Sequence, residues 1–196
     1  MASAVNRVAA PDITNGCVWD GLAQSLRRIT VQIFGRGGQH GAGVVWRSDG
    51  LIVTNAHVLR GSSMIRFEDG RTDRAELVAR DYQLDLAILR IPVRGLESAQ
   101  GRDSTLRTGE VVFAVGHPLG ERGAVSFGIV HAASSGHLIE ADIRLLPGNS
   151  GGPLADASGR VVGINCMVAN GMAVAVSTAA VERFLQKHLG SAERTA

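Results

Sequence analysis

Beyond residue 28 the chain is a succession of short apolar runs separated by turn-forming residues, and the period of the runs is closer to two than to 3.6. In ITVQIF, Ile29, Val31 and Ile33 alternate with Thr30, Gln32 and Phe34. Similar runs at residues 42–47, 51–55, 64–68, 75–81 and 85–91 are punctuated by SDG, EDG and GRTD, which predicts a first unit of six strands. Residues 94–110 are polar, carry no apolar periodicity and read as a linker. Strand-like runs then resume at VVFAVG, AVSFGIVHA, HLIEAD, PLAD, RVVGINCMV and MAVAVS, a second unit of similar size. Two stretches suggest helix: Trp19 to Leu26, where Leu22 and Leu26 lie four apart, and the C-terminal end, where Val181, Phe184, Leu185 and Leu189 share a face between a capping Ser177 and a terminating Gly190. The expected organisation is an N-terminal arm or short helix (1–24), a first β unit (25–93), a linker (94–110), a second β unit (111–176) and a C-terminal helix (177–190) within a single domain.

Composition agrees with a mostly β protein. The 196 residues are 45% hydrophobic but only 4% aromatic, and 25 are glycine, a balance suited to short strands and tight turns. The net charge of +2 arises from 20 basic and 18 acidic residues without a Lys/Arg block, so no nucleic-acid partner is expected. No apolar run reaches the roughly 20 residues of a membrane span. The start, MASAVNRVAAPDITNG, lacks the apolar core of a signal peptide, which leaves a cytoplasmic protein or a trimmed exported one. Cys17 and Cys166 are too few for a disulfide framework and read as ordinary thiols. His40, His117, His131, His137 and His188 lack ligand spacing, so neither metal nor cofactor is expected.

Three short segments carry chemistry. Ser150 stands in LPGNSGGPL, where Gly148, Gly151 and Gly152 permit backbone conformations and close approaches that side chains would block. Such a turn can aim the N–H groups of Gly148, Asn149 and Ser150 at a developing oxyanion. His57, in TNAHV, follows the apolar run LIV and falls at a strand end. Asp85 opens DLAILRI, so its carboxylate is drawn inward with the strand and needs a partner, which an imidazole N–H would supply. Asp81 is the rival acid, but Tyr82 and Gln83 after it look turn-like. GNSGG also fits the nucleophile elbow of α/β-hydrolases, yet Pro153 and ADASGR follow where that elbow needs a helix, and the order His57, Asp85, Ser150 is the reverse of theirs.

Together TNAHV, DLAIL and PGNSGGPL resemble the catalytic blocks of trypsin-like serine proteases, particularly the HtrA/Deg branch, and GHPLG (116–120), VVGINCMV and GMAVAVSTAAVERFL extend the resemblance over about residues 25–189. The resemblance implies two six-stranded antiparallel β-barrels of chymotrypsin type with a C-terminal helix. It implies a serine endopeptidase in which His57, Asp85 and Ser150 act through an acyl-enzyme on a polypeptide substrate, with protein quality control as the expected setting. A latent or non-catalytic peptide-binding module is the alternative. It further implies an S1 pocket formed by the segment IRLLPGN (143–149), which carries Arg144 and Leu146, by Asn165, Cys166 and Met167, and by Met172 to Val174. Ala173, where relatives often have glycine, would narrow that pocket toward small apolar P1 residues, whereas an inward Arg144 would favour acidic ones. Two departures matter. Asn149 cannot make the ion pair by which trypsin-like zymogens mature, so activation by cleavage is not expected. The family's usual PDZ domain does not fit in SAERTA, and the loop FGRGGQHGAG is short, so an oligomer is possible but not indicated.

Overall fold

The computed structural model describes residues 19–34, 40–59, 63–102, 104, 106–133 and 137–190. The N-terminal arm up to residue 18, Cys17 and the six residues after Gly190 lie outside these. A helix, α1 (Asp20–Arg28), leads into six strands: β1 (Thr30–Phe34), β2 (His40–Arg47), β3 (Leu51–Thr54), β4 (Ser63–Arg66), β5 (Thr72–Asp81) and β6 (Leu86–Arg90). A second set follows: β7 (Val111–Gly116), β8 (Ala124–Ala133), β9 (Leu138–Asp142), β10 (Pro153–Asp156), β11 (Val161–Ala169) and β12 (Met172–Ser177). The chain closes on α2 (Thr178–Leu189), whose N-cap Ser177 accepts a hydrogen bond from the Ala180 N–H.

Each set closes into an antiparallel barrel, in the order β1-β2-β3-β6-β5-β4 and, six strands later, the identical order β7-β8-β9-β12-β11-β10. Closure leaves neither sheet a free pair of edges. Val31, Ile33, Val45, Ile52, Ala87 and Leu89 fill the first barrel, while Val112, Ala114, Ala141, Leu154, Ala173 and Ala175 fill the second. A third cluster joins the two barrels to the helices: Leu26, Val44, Val53, Leu86, Ile88, Phe113, Ile164, Val176, Val181 and Phe184.

This shared cluster explains where burial departs from simple alternation. β1 is predicted with one polar face, yet Thr30 and Gln32 are as buried as Val31 and Ile33. The two polar side chains are satisfied from different elements: Thr30 Oγ1 donates to the Leu26 carbonyl of α1 at 2.6 Å, and Arg66 of β4 donates to Gln32 Oε1. β3 and β6 are likewise buried on both sides, one facing the barrel interior and the other facing the second barrel. The polar stretch between the barrels is strapped to both, with Ala99 N–H donating to the Val45 carbonyl and Gln100 accepting from Val161 N–H. Among the described residues, no helix is long and apolar enough to cross a membrane.

Candidate active site

The ends of β3 and β6 and the loop between β9 and β10 meet at the junction of the barrels. After β3, Asn55 continues the extended backbone, and a single 3₁₀ turn, Ala56–Val58, presents His57. The hairpin turn between β5 and β6 brings Asp85 beside it, and Asp85 is held in the left-handed region (φ 52°), a conformation that aspartate tolerates better than most residues. That conformation lets the Asp85 carbonyl accept from both Ala56 N–H (3.2 Å) and Asn55 Nδ2 (2.9 Å). The two turns are thereby clamped together.

The Asp85 side chain completes the clamp. Oδ1 accepts from His57 N–H at 3.0 Å, and Oδ2 lies 2.6 Å from His57 Nδ1. Burial raises the Asp85 carboxyl, but hydrogen bonds from the His57 ring, the Cys166 thiol and the His57 N–H outweigh it and hold the group below the usual carboxylate range. An ionised carboxylate only accepts, so Nδ1 carries the proton and Nε2 is left as the basic nitrogen. The His57 side chain is 49% exposed and that of Asp85 19%, which leaves the ring open to a ligand while its anchor is covered. Asp81 is spent elsewhere: its Oδ1 accepts from Gln83 and Leu84 N–H and shapes the turn that delivers Asp85.

Ser150 follows a tight turn, Leu146-Pro147-Gly148-Asn149, closed by Asn149 N–H donating to the Leu146 carbonyl at 3.0 Å. Proline at the second position and glycine with φ 109° at the third are the marks of a type II turn. The Gly148 carbonyl accepts from His117 N–H and the Pro147 carbonyl from Leu119 N–H, so residues 117–119 brace the turn from behind. Of the three N–H groups expected to face an oxyanion, that of Asn149 is therefore committed to the turn itself. Those of Gly148 and Ser150 donate to none of the described residues. Gly151, also at positive φ, permits the first barrel to approach: Ala42 N–H donates to the Ser150 carbonyl, and a methyl on Gly151 would collide with the Ala42 carbonyl oxygen.

Ser150 Oγ donates to the Cys166 carbonyl at 3.0 Å, and among the described residues no hydrogen bond joins it to His57. The Cys166 thiol donates to Asp85 Oδ2 at 3.0 Å, so His57, Asp85, Cys166 and Ser150 form one connected set. Burial, reinforced by Asp85, pushes the Cys166 thiol up to about 12. Cys166 is thus neither the ordinary thiol nor the simple pocket wall that the sequence suggests.

Beside Ser150 opens a cleft of about 410 Å³ lined by Leu145, Leu146, Pro147, Asn149, Ser150, Cys166, Met167 and Val168. Leu145, Leu146, Pro147, Cys166 and Met167 line it as the sequence suggests, but Arg144, Asn165, Met172, Ala173 and Val174 do not. Arg144 is exposed. Asn165 is buried against β10, its Nδ2 donating to the Pro153 carbonyl. Ala173 faces the interior of the second barrel, so its methyl does not narrow the cleft. The misplacement follows from strand parity, since the faces of β11 and β12 depend on a register that the sequence does not reveal. Val168 is the wall residue that the expected segments leave out, since it lies one position beyond Met167. β11 pairs with β12 as far as Ala169 but with β10 only up to Ile164, leaving one backbone edge of residues 167–169 without a strand partner.

The model of the trypsin-like peptidase domain matches residues 41–164. A probable periplasmic DegP-like serine endoprotease of Pseudomonas savastanoi pv. phaseolicola is 38% identical over 138 residues, covering 65% of this chain and 29% of that protein. The mitochondrial serine protease HTRA2 of Drosophila pseudoobscura pseudoobscura is 36% identical over 178 residues, covering 80% of this chain and 42% of that one. The chain thus spans less than half the length of these curated relatives. Among solved structures, a serine endoprotease from Yersinia pestis superposes with a TM-score of 0.83 at 27% identity, over 89% of this chain and 67% of that one. The HtrA-type protease AlgW, solved with a tripeptide, gives 0.79 at 30%, over 85% of this chain and 62% of that one. With two barrels of matching strand order and a family match that runs from β2 into β11, the chain belongs to the trypsin-like peptidase family and stands within it beside the HtrA/DegP serine proteases.

Proposed function

We propose that the chain is a serine endopeptidase acting on extended polypeptide segments. The observation that carries this reading is the His57–Asp85 pair, with its ring nitrogen directed by an ionised carboxylate, beside a serine with two N–H groups, its own and that of Gly148, that have no acceptor among the described residues.

In the proposed reaction Ser150 turns from the Cys166 carbonyl toward His57 Nε2, which takes the hydroxyl proton as Oγ attacks the scissile carbonyl carbon. Negative charge collects on the carbonyl oxygen, facing the N–H groups of Gly148 and Ser150. His57 then passes the proton to the leaving amine nitrogen, the C–N bond breaks, and an ester on Ser150 remains. Water, deprotonated by His57, attacks that ester. The carboxylic acid leaves and the proton returns to Oγ. Asp85 stays ionised throughout, holding the imidazolium's orientation and charge.

The free edge of residues 167–169 can accept a substrate strand through backbone hydrogen bonds, a mode that demands an unfolded or exposed segment and suits protein quality control. The cleft walls of Leu145, Leu146, Met167 and Val168 carry no charge, which favours an apolar P1 side chain. The test is labelling with a fluorophosphonate probe together with cleavage of an unfolded protein. One adduct, on Ser150, and cleavage lost in Ser150→Ala would support the reading. No adduct in a folded sample would favour a latent or purely peptide-binding module. A peptide library preferring Asp or Glu at P1 would overturn the apolar assignment.

A further inference from the structure

The turn bearing Gly148 is braced by a loop that is itself strained. β7 ends at Gly116, where an added methyl would meet Asn149 Cα and the Gly148 carbonyl, so strand and turn are in close contact. From there the chain reverses through Leu119 (φ 53°) and Gly120 (φ 89°), both in the left-handed region. A leucine rarely adopts that conformation, and this one, 83% exposed, has little packing to hold it there. Hydrogen bonds take that role. Gly120 N–H donates to the His117 carbonyl, Glu121 N–H to the Pro118 carbonyl and, across the whole reversal, Gly123 N–H to His117 Nδ1 at 3.2 Å. The His117 ring is buried, and Nδ1, as the acceptor, is its unprotonated nitrogen. The Gly123 carbonyl in turn accepts from Arg27 Nε of α1 at 2.8 Å.

Resting on the endopeptidase reading, we propose that His117 is a positioning residue for the oxyanion turn: its ring closes the 117–123 loop on Gly123, and the closed loop keeps the Gly148 N–H directed at the substrate carbonyl. Two bonds carry the effect, from His117 N–H to the Gly148 carbonyl at 3.0 Å and from Leu119 N–H to the Pro147 carbonyl at 3.3 Å. They fix the carbonyls on both sides of the Gly148 Cα, so neither peptide plane rotates while the loop keeps its shape. A loop that relaxes at Leu119 withdraws the second bond, and the Pro147–Gly148 peptide, which carries the Gly148 N–H, is then free to turn. The loss falls on the transition state, where charge gathers on the carbonyl oxygen, and not on substrate binding. The His117 ring acts through Gly148, and Arg27 ties the far end of the same loop to α1.

Steady-state kinetics on an apolar-P1 peptide, with fluorophosphonate labelling rates and thermal melts, compare the wild type with His117→Asn, His117→Leu and Arg27→Met. Asparagine Oδ1 lies as many bonds from Cα as histidine Nδ1 and accepts likewise, so His117→Asn should keep kcat within about twofold. Leucine fills the space without an acceptor and should lower kcat and the labelling rate by about tenfold, with KM within about twofold. A purely structural role would instead lower the melting temperature and leave kcat of the folded enzyme unchanged. Arg27→Met keeps the aliphatic stem against Gly123, removes only the outer bond and should lower kcat by about fivefold. A folded leucine variant with wild-type kcat, or an asparagine variant reduced about tenfold, would overturn the role. Should the leucine variant fail to fold, Arg27→Met with wild-type kcat would overturn it. A wild type that neither cleaves nor labels would sink the endopeptidase reading itself, an outcome distinct from an active wild type indifferent to His117→Leu.

Discussion

Replacing Gly148 by alanine isolates the contribution of a single oxyanion donor. Gly148 has φ 109°, and a methyl built there would run into the His117 carbonyl and the Pro118 Cα, backbone atoms of the bracing loop that cannot swing aside. Two responses are open. The turn can keep its form, accepting strain of about 1–3 kcal/mol for a non-glycine residue in that region, in addition to the collision. Or the Pro147–Gly148 peptide can flip, abandoning the bond from Leu119 N–H to the Pro147 carbonyl at about 1 kcal/mol and turning the Gly148 N–H away from the oxyanion. The flip is the cheaper course, and it removes a donor worth about 10²–10³ in kcat. Kinetics on an apolar-P1 peptide should therefore show kcat reduced by about that factor with KM little changed, since the donor acts in the transition state. Gly70→Ala is the control: Gly70 also has positive φ but nothing within 4 Å of an added methyl, so it should lose stability alone. A folded Gly148→Ala enzyme with kcat within about tenfold of wild type would refute the reasoning.

Asp85→Asn should lower kcat by about 10⁴-fold, because an amide in place of the carboxylate permits the wrong imidazole tautomer; a circular dichroism melt alongside the kinetics separates this from unfolding. Hydrogen bonds from Arg102, opposed by burial and helped by Arg107, bring the Glu110 carboxyl down to about 2 from an ordinary 4.5. A lowered folded-state value means stability that is present above pH 4.5 and lost as the pH falls toward 2. Solvent screening leaves only part of that shift as stability, so Glu110→Gln should cost about 1 kcal/mol near neutrality and flatten the decline in urea-unfolding free energy across that window; an unchanged acid slope would contradict it. Ser177→Ala removes the cap that receives Ala180 N–H and should cost about 1 kcal/mol in the same assay, leaving kcat unaltered.

What could be read from the residues alone follows from how local each cause is. The twelve strands are legible because each is a short apolar run bounded by turn residues, and a closed barrel needs little more than that alternation. β1 shows the limit: its Thr30 and Gln32 are polar by composition yet buried, Thr30 bonded to Leu26 of α1 and Gln32 to Arg66 of β4, partners that no period along β1 announces. The segments bearing His57, Asp85 and Ser150 stand out because glycine, histidine and aspartate sit at strand ends, where side chains are free to converge. The fate of the Asn149 N–H was also written in the chain, since Pro-Gly at the centre of LPGN specifies a turn whose last N–H is used internally. Arg144 lies in the loop after β9, outside any strand, but Asn165 and Ala173 were misplaced for the opposite reason. Which face each occupies depends on pairings between β9, β10, β11 and β12, and a single slip of register reverses them. Cys166 is the sharpest instance: the bulge that turns its carbonyl to Ser150 exists only because six residue pairs of β11 and β12 agree around one residue that has no partner. Its cysteine looks inert until Asp85, 81 residues away, is laid against it. Residues that bind chemistry through a strand's own periodicity can be found by spacing, whereas a residue that works by interrupting the periodicity becomes visible only when its neighbours are paired.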